Sequence, residues 1–410
     1  MNHSLTSAAS LFNHGLLSAV TGWRVWLFRT WVSCLPVGQL TVTFPSQRRE
    51  TFNGAGPGPD AHLDIHDMRV VNRLMSAGDL GLAESYMSGE WSTPDLSALL
   101  HFGQANEQAL GTTLQKTTLH RLFDRLLHAR RSNTRRGSRR NIAAHYDLGN
   151  DFYGHWLDPS MTYSSALFES LDEPLAPAQR RKYLRLASQL DLQPGDRVLE
   201  IGCGWGGFAE IAAGEFGCNV VALTLSREQA VYARDRVEQA GLSDHIEVRL
   251  QDYRDVQGKF DKIVSIEMFE AVGERYWSVY LDTLRERLAP SGKAALQIIT
   301  MDDAYFEDYR LNPEFIQRYI FPGGMLPGLS LFQQAAAAAS LAISDQFTFG
   351  QSYGETLRRW DMAFQNAWPT IKTLGFDERF YRMWRFYLCY CEVGFDTGRI
   401  NVAHFTLNHA

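Results

Sequence analysis

A chain of 410 residues is long enough for two or three domains rather than one. With 45% hydrophobic and 21% charged residues it has an ordinary globular balance and apolar side chains enough for a large core. A net charge of −6 excludes a whole-molecule polyanion binder. The five cysteines are odd in number and lack metal-ligand spacing, so no metal site is expected and the pattern is that of a reduced, intracellular protein. Aromatic residues reach 12%, which reads either as a generously packed core or as a cavity for an apolar ligand.

The apolar stretch from Leu16 to Val37 is interrupted by Arg24 and Arg29, which argues against a signal peptide and a membrane-spanning helix. A docking helix is the plainer reading; an interfacial helix carrying Trp23, Trp26, Leu27 and Trp31 is the alternative. Leu40–Phe44 alternates like a strand, Gly54–Pro59 has turn composition, and Ala61–Ile65 alternates again. Helical patterns recur from Val70 to Phe102, so residues 1–120 form a small mixed α/β module. Residues 121–140 form a basic linker with Arg130, Arg131, Arg135, Arg136, Arg139 and Arg140. Such a cluster is either a solvated linker or a patch for anionic headgroups; no nucleic-acid motif accompanies it.

From residue 141 to 410 strands and helices alternate. Strands are expected at Arg197–Gly202, Asn219–Leu225, His245–Leu250, Phe260–Ile266 and Gly292–Thr300, with two final ones at Leu341–Gly350 and Ile400–Asn408. This order predicts an α/β fold with a doubly wound, mostly parallel sheet.

The first of these strands runs into Val198-Leu-Glu-Ile-Gly-Cys-Gly-Trp-Gly-Gly207. Gly202, Gly204 and Gly206 let the backbone turn sharply and approach a ligand closely. The spacing is G-x-G-x-G, not the G-x-G-x-x-G that seats a pyrophosphate, and the second strand ends near Thr224 without the acidic residue of an NAD site. Glu200 can accept from an α-amino group or anchor the loop. Thr224 and Gln229 can bond ribose hydroxyls, and Gln251-Asp-Tyr253 offers adenine an aromatic face and a polar edge. Together these point to S-adenosylmethionine.

Further landmarks stand in order along the chain: Gly81-Leu-Ala-Glu-Ser-Tyr-Met87, His145-Tyr-Asp-Leu-Gly-Asn-Asp151, Tyr163-Ser164, Leu223-Thr-Leu-Ser-Arg-Glu-Gln229, Met268-Phe-Glu270, Tyr319-Ile-Phe-Pro322 and Tyr387-Leu-Cys-Tyr-Cys391. From about Leu74 onward the sequence resembles the cyclopropane fatty acid synthases and the related mycolic acid enzymes. The resemblance implies a Rossmann-like class I methyltransferase domain, preceded by a lipid-handling, membrane-associating module. It implies cofactor contacts at Tyr163, Ser164, Val198, Glu200, Gly202, Cys203, Gly204, Trp205, Gly206, Thr224, Leu225, Ser226, Gln229, Asp252, Tyr253 and Arg254. It also implies a bicarbonate pocket at Ser165, Glu270, Gln297, Ile299 and Tyr353, and an active-site cysteine at Cys391, whose reading as a wall residue is stronger because alkene methylation needs no thiol. Ser165 and Gln297 depart from the family's usual cysteine and histidine. His145 and Asp147 are assigned to the site entrance by the resemblance alone.

The implied reaction joins the cofactor's methyl to the double bond of an unsaturated phospholipid acyl chain. Positioning and exclusion of water then carry much of the rate. A carbocation follows, which aromatic faces and carboxylates stabilise, with Tyr163, Phe269, Tyr319, Phe321, Tyr353 and Trp360 as candidates. Proton loss from the transferred methyl closes a cyclopropane ring, with Glu270 orienting a bicarbonate base or acting as base. The expectation leans to the ring; the alternatives are a methyl-branched chain without ring closure and, further off, a non-catalytic lipid carrier. The expected setting is the cytoplasm, peripheral to the inner membrane face, and a homodimer is one assembly allowed.

Overall fold

The computed structural model describes residues 22–111, 134, 137, 148–312 and 314–410. Its chain clusters into two compact units, residues up to 123 with Asp377–Val393, and residues 124–376 with Gly394–Ala410. The arginine cluster and His145 with Asp147 lie outside the described residues.

In the first unit a helix over residues 22–32 buries Phe28 and Val32 and leaves Trp23 and Trp26 exposed. Four strands follow, β1 (Val37–Thr43), β2 (Arg49–Asn53), β3 (Gly56–Ile65) and β4 (Trp91–Ser92), in the order β2-β1-β3-β4. The expected turn at Gly54–Pro59 is mostly strand, because Gly56–Pro59 begins β3, which pairs in parallel with β1. Glycine is needed there for close approach, since a Cβ on Gly58 would lie 2.7 Å from the Gly38 nitrogen. The helix Arg69–Met87 kinks at Gly78, and the Asp95 carboxylate caps the helix Leu96–Ala105. The helix Glu378–Asp396 supplies this unit's C-terminal segment; its Arg382 donates to the carbonyls of Tyr86 and Trp91.

The second unit is built on seven strands: β5 (Arg197–Ile201), β6 (Asn219–Thr224), β7 (Ile246–Leu250), β8 (Phe260–Ile266), β9 (Leu288–Met301), β10 (Leu341–Thr348) and β11 (Ile400–His409). Their order is β10-β11-β9-β8-β5-β6-β7. The strands from β9 to β7 are mutually parallel; β11 runs antiparallel to β9, and the edge strand β10, antiparallel to β11, runs in the direction of the others. Near-continuous apolar strands suit a sheet covered on both faces. Leu199, Ile201, Leu296 and Ile298 join a core with the helices Trp277–Arg287 and Leu329–Ala338. On the other face Val198, Val220 and Val264 pack with the helices Leu175–Leu190, Gly207–Gly214 and Arg227–Gln239. The chain runs from β5 to β6 and β7 on one side and returns to β8 and β9 on the other. A crevice therefore opens at the carboxyl ends of β5 and β8, where ligands bind in such sheets.

Candidate active site

At that crevice lies a cavity that opens to solvent. Tyr163, Ser164, Glu200, Gly202, Cys203, Gly204, Trp205, Thr224, Leu225, Gln229, Asp252, Tyr253 and Arg254 all line it, as the sequence reading expected. Val198, Gly206 and Ser226 stand behind the wall. Val198 is buried in β5, Gly206 caps the helix Gly207–Gly214, and the Ser226 hydroxyl caps the next helix by accepting from the Gln229 N–H at 3.2 Å.

The loop takes its shape from glycine backbone. Gly202, Gly204 and Gly206 have φ of 86°, 53° and 87°, in the left-handed region that favours glycine. A Cβ on Gly202 would strike Met268 at 2.9 Å, so that glycine is structural. A Cβ on Gly204 would meet nothing within 4 Å; this glycine keeps space clear for a ligand instead. Glu200 is buried on the cavity wall with Oε2 lacking a partner among the described residues, and burial pushes its pKa up to about 8 against the pull of Arg236. An ammonium group beside that oxygen would supply the missing donor. The Thr224 hydroxyl donates to Gln229 Oε1 at 2.9 Å, which orients the amide's NH2 end away from Thr224. The Arg254 guanidinium and backbone N–H bind the Asp252 carboxylate, fixing the turn that presents Tyr253. An orphaned carboxylate oxygen and a glycine cradle fit the amino-acid end and the body of S-adenosylmethionine.

The bicarbonate pocket has a different content from the one expected. Ser165, Gln297 and Tyr353 do converge, but on the carboxylate of Glu267. Oε1 accepts from the Ser165 N–H at 2.8 Å and from Gln297 Nε2 at 2.7 Å, and Oε2 accepts from the Tyr353 hydroxyl at 2.6 Å. The Ser165 hydroxyl, expected as a donor to the anion, donates instead to the Ala166 carbonyl. Ile299 gives its N–H to Glu270 Oε1, while Glu270 Oε2 has no partner among the described residues. His404, on β11 beside β9, bonds Gln297 Oε1 through Nε2 at 2.9 Å and so turns the amide's NH2 toward Glu267.

Glu267 sits one residue past β8, on the cavity wall, at φ 51°. A non-glycine residue in that region carries a strain of roughly 1–2 kcal/mol, which is a mark of function when a built environment holds it there. Lys182, fully buried, contributes an attracting charge; its ammonium donates to the Ser164 hydroxyl at 2.6 Å and to Gln179 Oε1 at 2.8 Å. Burial depresses the Lys182 pKa to about 7, with Glu267 and Asp158 opposing the fall. Burial also raises Glu267, opposed by Tyr353, Lys182, the Ser165 N–H and Gln297. Glu270 rises to about 8 through burial and the charge of Glu267.

Aromatic rings pack beside these groups. Tyr163 lies 5.2 Å from Trp360, 5.3 Å from Tyr153 and 5.6 Å from Trp156, and Trp360 lies 6.2 Å from Tyr353. Phe269 belongs to another cluster, stacked on Trp277 within the core, and Tyr319 packs on Phe315 beside the π-helical turn Ile316–Ile320 that Phe321 follows. Cys391 is half-buried on the helix Glu378–Asp396, in the portion that clusters with the first unit. Sequence reasoning missed Glu267, Lys182, His404, Tyr153 and Trp156. Only Glu267 left a signal, a second carboxylate three positions before Glu270 at the end of a parallel strand.

A parallel sheet with one reversed strand beside its edge strand, a glycine loop after its first strand and a buried carboxylate at the switch point define a class I methyltransferase that uses S-adenosylmethionine. The chain belongs to the family described as mycolic acid cyclopropane synthetase, whose model matches residues 133–405. It is 40% identical over 377 residues to the tuberculostearic acid methyltransferase of Mycobacterium tuberculosis, covering 87% of this chain and 85% of that one. It is 36% identical over 348 residues to the cyclopropane-fatty-acyl-phospholipid synthase of Escherichia coli strain K12, covering 84% and 86%. A crystal structure of a mycolic acid cyclopropane synthase complexed with SAH and CTAB superposes with a TM-score of 0.62 at 33% identity, covering 66% of this chain and 97% of that one.

Proposed function

We propose that this protein methylates the double bond of an unsaturated acyl chain on a membrane phospholipid and releases a methyl-branched chain. The observation that carries the reading is the half-buried Glu267 carboxylate, held by three donors and opening into the cofactor cavity with Tyr163 and Trp360 packed nearby. S-Adenosylmethionine supplies an electrophilic methyl group. The chain's residues then have three tasks: hold the alkene against it, exclude water, and accept one proton. The aromatic faces lower the energy of the cation left on the acyl chain.

The branch is preferred over the ring for two reasons. The lean to a ring depended on a small anion held by Ser165, Gln297, Tyr353 and the Ile299 backbone, with Glu270 taking its proton; Glu267 engages the first three and Glu270 takes the Ile299 N–H. The 40% match is with an enzyme named for tuberculostearic acid, a methyl-branched product. Ring closure is the second reading, supported by the 36% match with a cyclopropane synthase.

Turnover of monounsaturated phospholipid vesicles with methyl-deuterated cofactor tests this. A branched alkene keeps the label on an acyl methyl or vinylidene group in the proton and deuterium spectra. A product showing only the upfield methylene signals of a cyclopropane overturns the branch and leaves methyl transfer in place.

A further inference from the structure

We propose that Glu267 is the resident proton acceptor of the reaction, so that this enzyme needs no bicarbonate or other external base. The inference rests on the methyl-transfer reading above and does not depend on whether the product is branched or cyclic.

Geometry carries it. Of the two carboxylates after β8, Glu267 is the one on the cavity wall. Its Oε1 accepts from two groups that can only donate, a backbone N–H and an amide NH2, and its Oε2 accepts from the Tyr353 hydroxyl. That set selects the ionised, accepting form. The Lys182 ammonium adds an attracting charge from the neighbouring helix, opposing the rise that burial imposes. Glu270 has the opposite environment, a single N–H from Ile299 and an adjacent like charge, and is the carboxyl kept neutral. His404 acts through Gln297 and is a positioning residue.

The step balances as follows. The carbon–sulfur bond of the donor breaks with its pair retained on sulfur, leaving a neutral thioether. The alkene's π pair forms the new bond to the methyl, leaving the acyl chain a cation. A C–H bond of that cation then breaks, its pair becomes the new carbon–carbon bond of the product, and the proton passes to the Glu267 carboxylate. The acid returns that proton to water after the product leaves.

The left-handed backbone at Glu267 favours the test, because φ 51° is natural to glycine and the strain relieved in Glu267→Gly offsets part of what the lost carboxylate costs, so the variant should still fold. The variant also vacates the three donors. In buffer stripped of carbon dioxide the wild type should keep its full rate. Glu267→Gly should lose ~10²–10⁴-fold and regain much of it when bicarbonate is added. Glu267→Gln, which fills the space without a base, should lose as much and gain nothing from bicarbonate. Calorimetry should show S-adenosylmethionine affinity within a few-fold in all three proteins. Carbon-13 bicarbonate should bind to Glu267→Gly and not to the wild type, a readout independent of turnover. A wild type that slows on stripping, or a Glu267→Gln variant that keeps its rate, overturns the proposal. A wild type that binds the cofactor yet methylates no unsaturated lipid overturns the methyl-transfer reading itself.

Discussion

Glu267 and Glu270 stand three residues apart and have opposite hydrogen-bonding surroundings. The first is surrounded by donors, whereas the second accepts one N–H and faces the charge of the first. This has a consequence for stability. Glu270 has a folded pKa of about 8, above its value of 4.5 in an unfolded chain. The folded protein therefore holds a proton that the unfolded one releases across that window, and stability falls as pH rises through it. Glu270→Gln cannot ionise, so its stability relative to wild type should improve between pH 5 and 8.5, by a few kcal/mol at most on the order of 1.4 per pKa unit. Urea denaturation of both proteins at the two pH values measures it; a difference that stays constant with pH shows that Glu270 is not a raised carboxyl. Glu270 was legible in Met268-Phe-Glu270. Glu267 was not, because the residue after a strand can face a ligand or solvent, and only the positive φ turns this one toward Ser165, Gln297 and Tyr353.

Elements were easier to read where a periodicity and a breaker agreed. The β5–loop–helix segment shows this, with an apolar strand, three glycines and then an Ala-rich helix. Gly204 is its sensitive point, since the space beyond its α-carbon holds no protein atom within 4 Å. Gly204→Val should abolish S-adenosylmethionine binding by calorimetry while far-ultraviolet circular dichroism stays that of the wild type. Some stability is lost because a β-branched residue resists φ 53°; Gly204→Ala repeats the test with less strain. Unchanged affinity in both variants would remove the cofactor from this loop. The Gly54–Pro59 segment shows the opposite case, where turn-forming composition serves close strand pairing because β3 passes so near Gly38.

For the molecule as a whole, charge is unevenly spread. An acidic chain of net −6 carries six arginines between residues 130 and 140. Among the described residues no helix is long and apolar enough to cross a membrane. For the phospholipid substrate proposed above, the arginine segment is the candidate for attraction to a membrane surface, since basic residues near an anionic leaflet attract by about 1 kcal/mol each. Changing Arg135, Arg136, Arg139 and Arg140 to Ser should weaken co-sedimentation with anionic vesicles at low salt. The wild type should itself release as salt is raised, because exposed charges are screened over ~8–10 Å. S-Adenosylmethionine affinity should be unchanged. Equal sedimentation of the two proteins at low salt would make the segment a linker and nothing more.

By itself the sequence determined the parallel sheet, the cofactor loop and most residues on the cavity wall. Those depend on local order along the chain: strand period, glycine spacing, and the residues that immediately follow a strand. The cavity-wall positions of Thr224, Gln229 and Tyr253 were readable for the same reason, since each lies at or just past a strand end in a fold whose ligands bind at strand ends. What the tertiary structure alone decided is which groups meet across the sheet. Ser165, Glu267, Gln297, Tyr353 and His404 come from five separate segments and form one hydrogen-bonded set only when β8, β9 and β11 lie side by side. The aromatic surplus likewise divides into core and site only in three dimensions: Phe269 and Trp277 pack behind the sheet, while Tyr163 and Trp360 gather near the carboxylate. No spacing along the chain encodes such meetings, because they depend on strand order and register, which long-range burial selects.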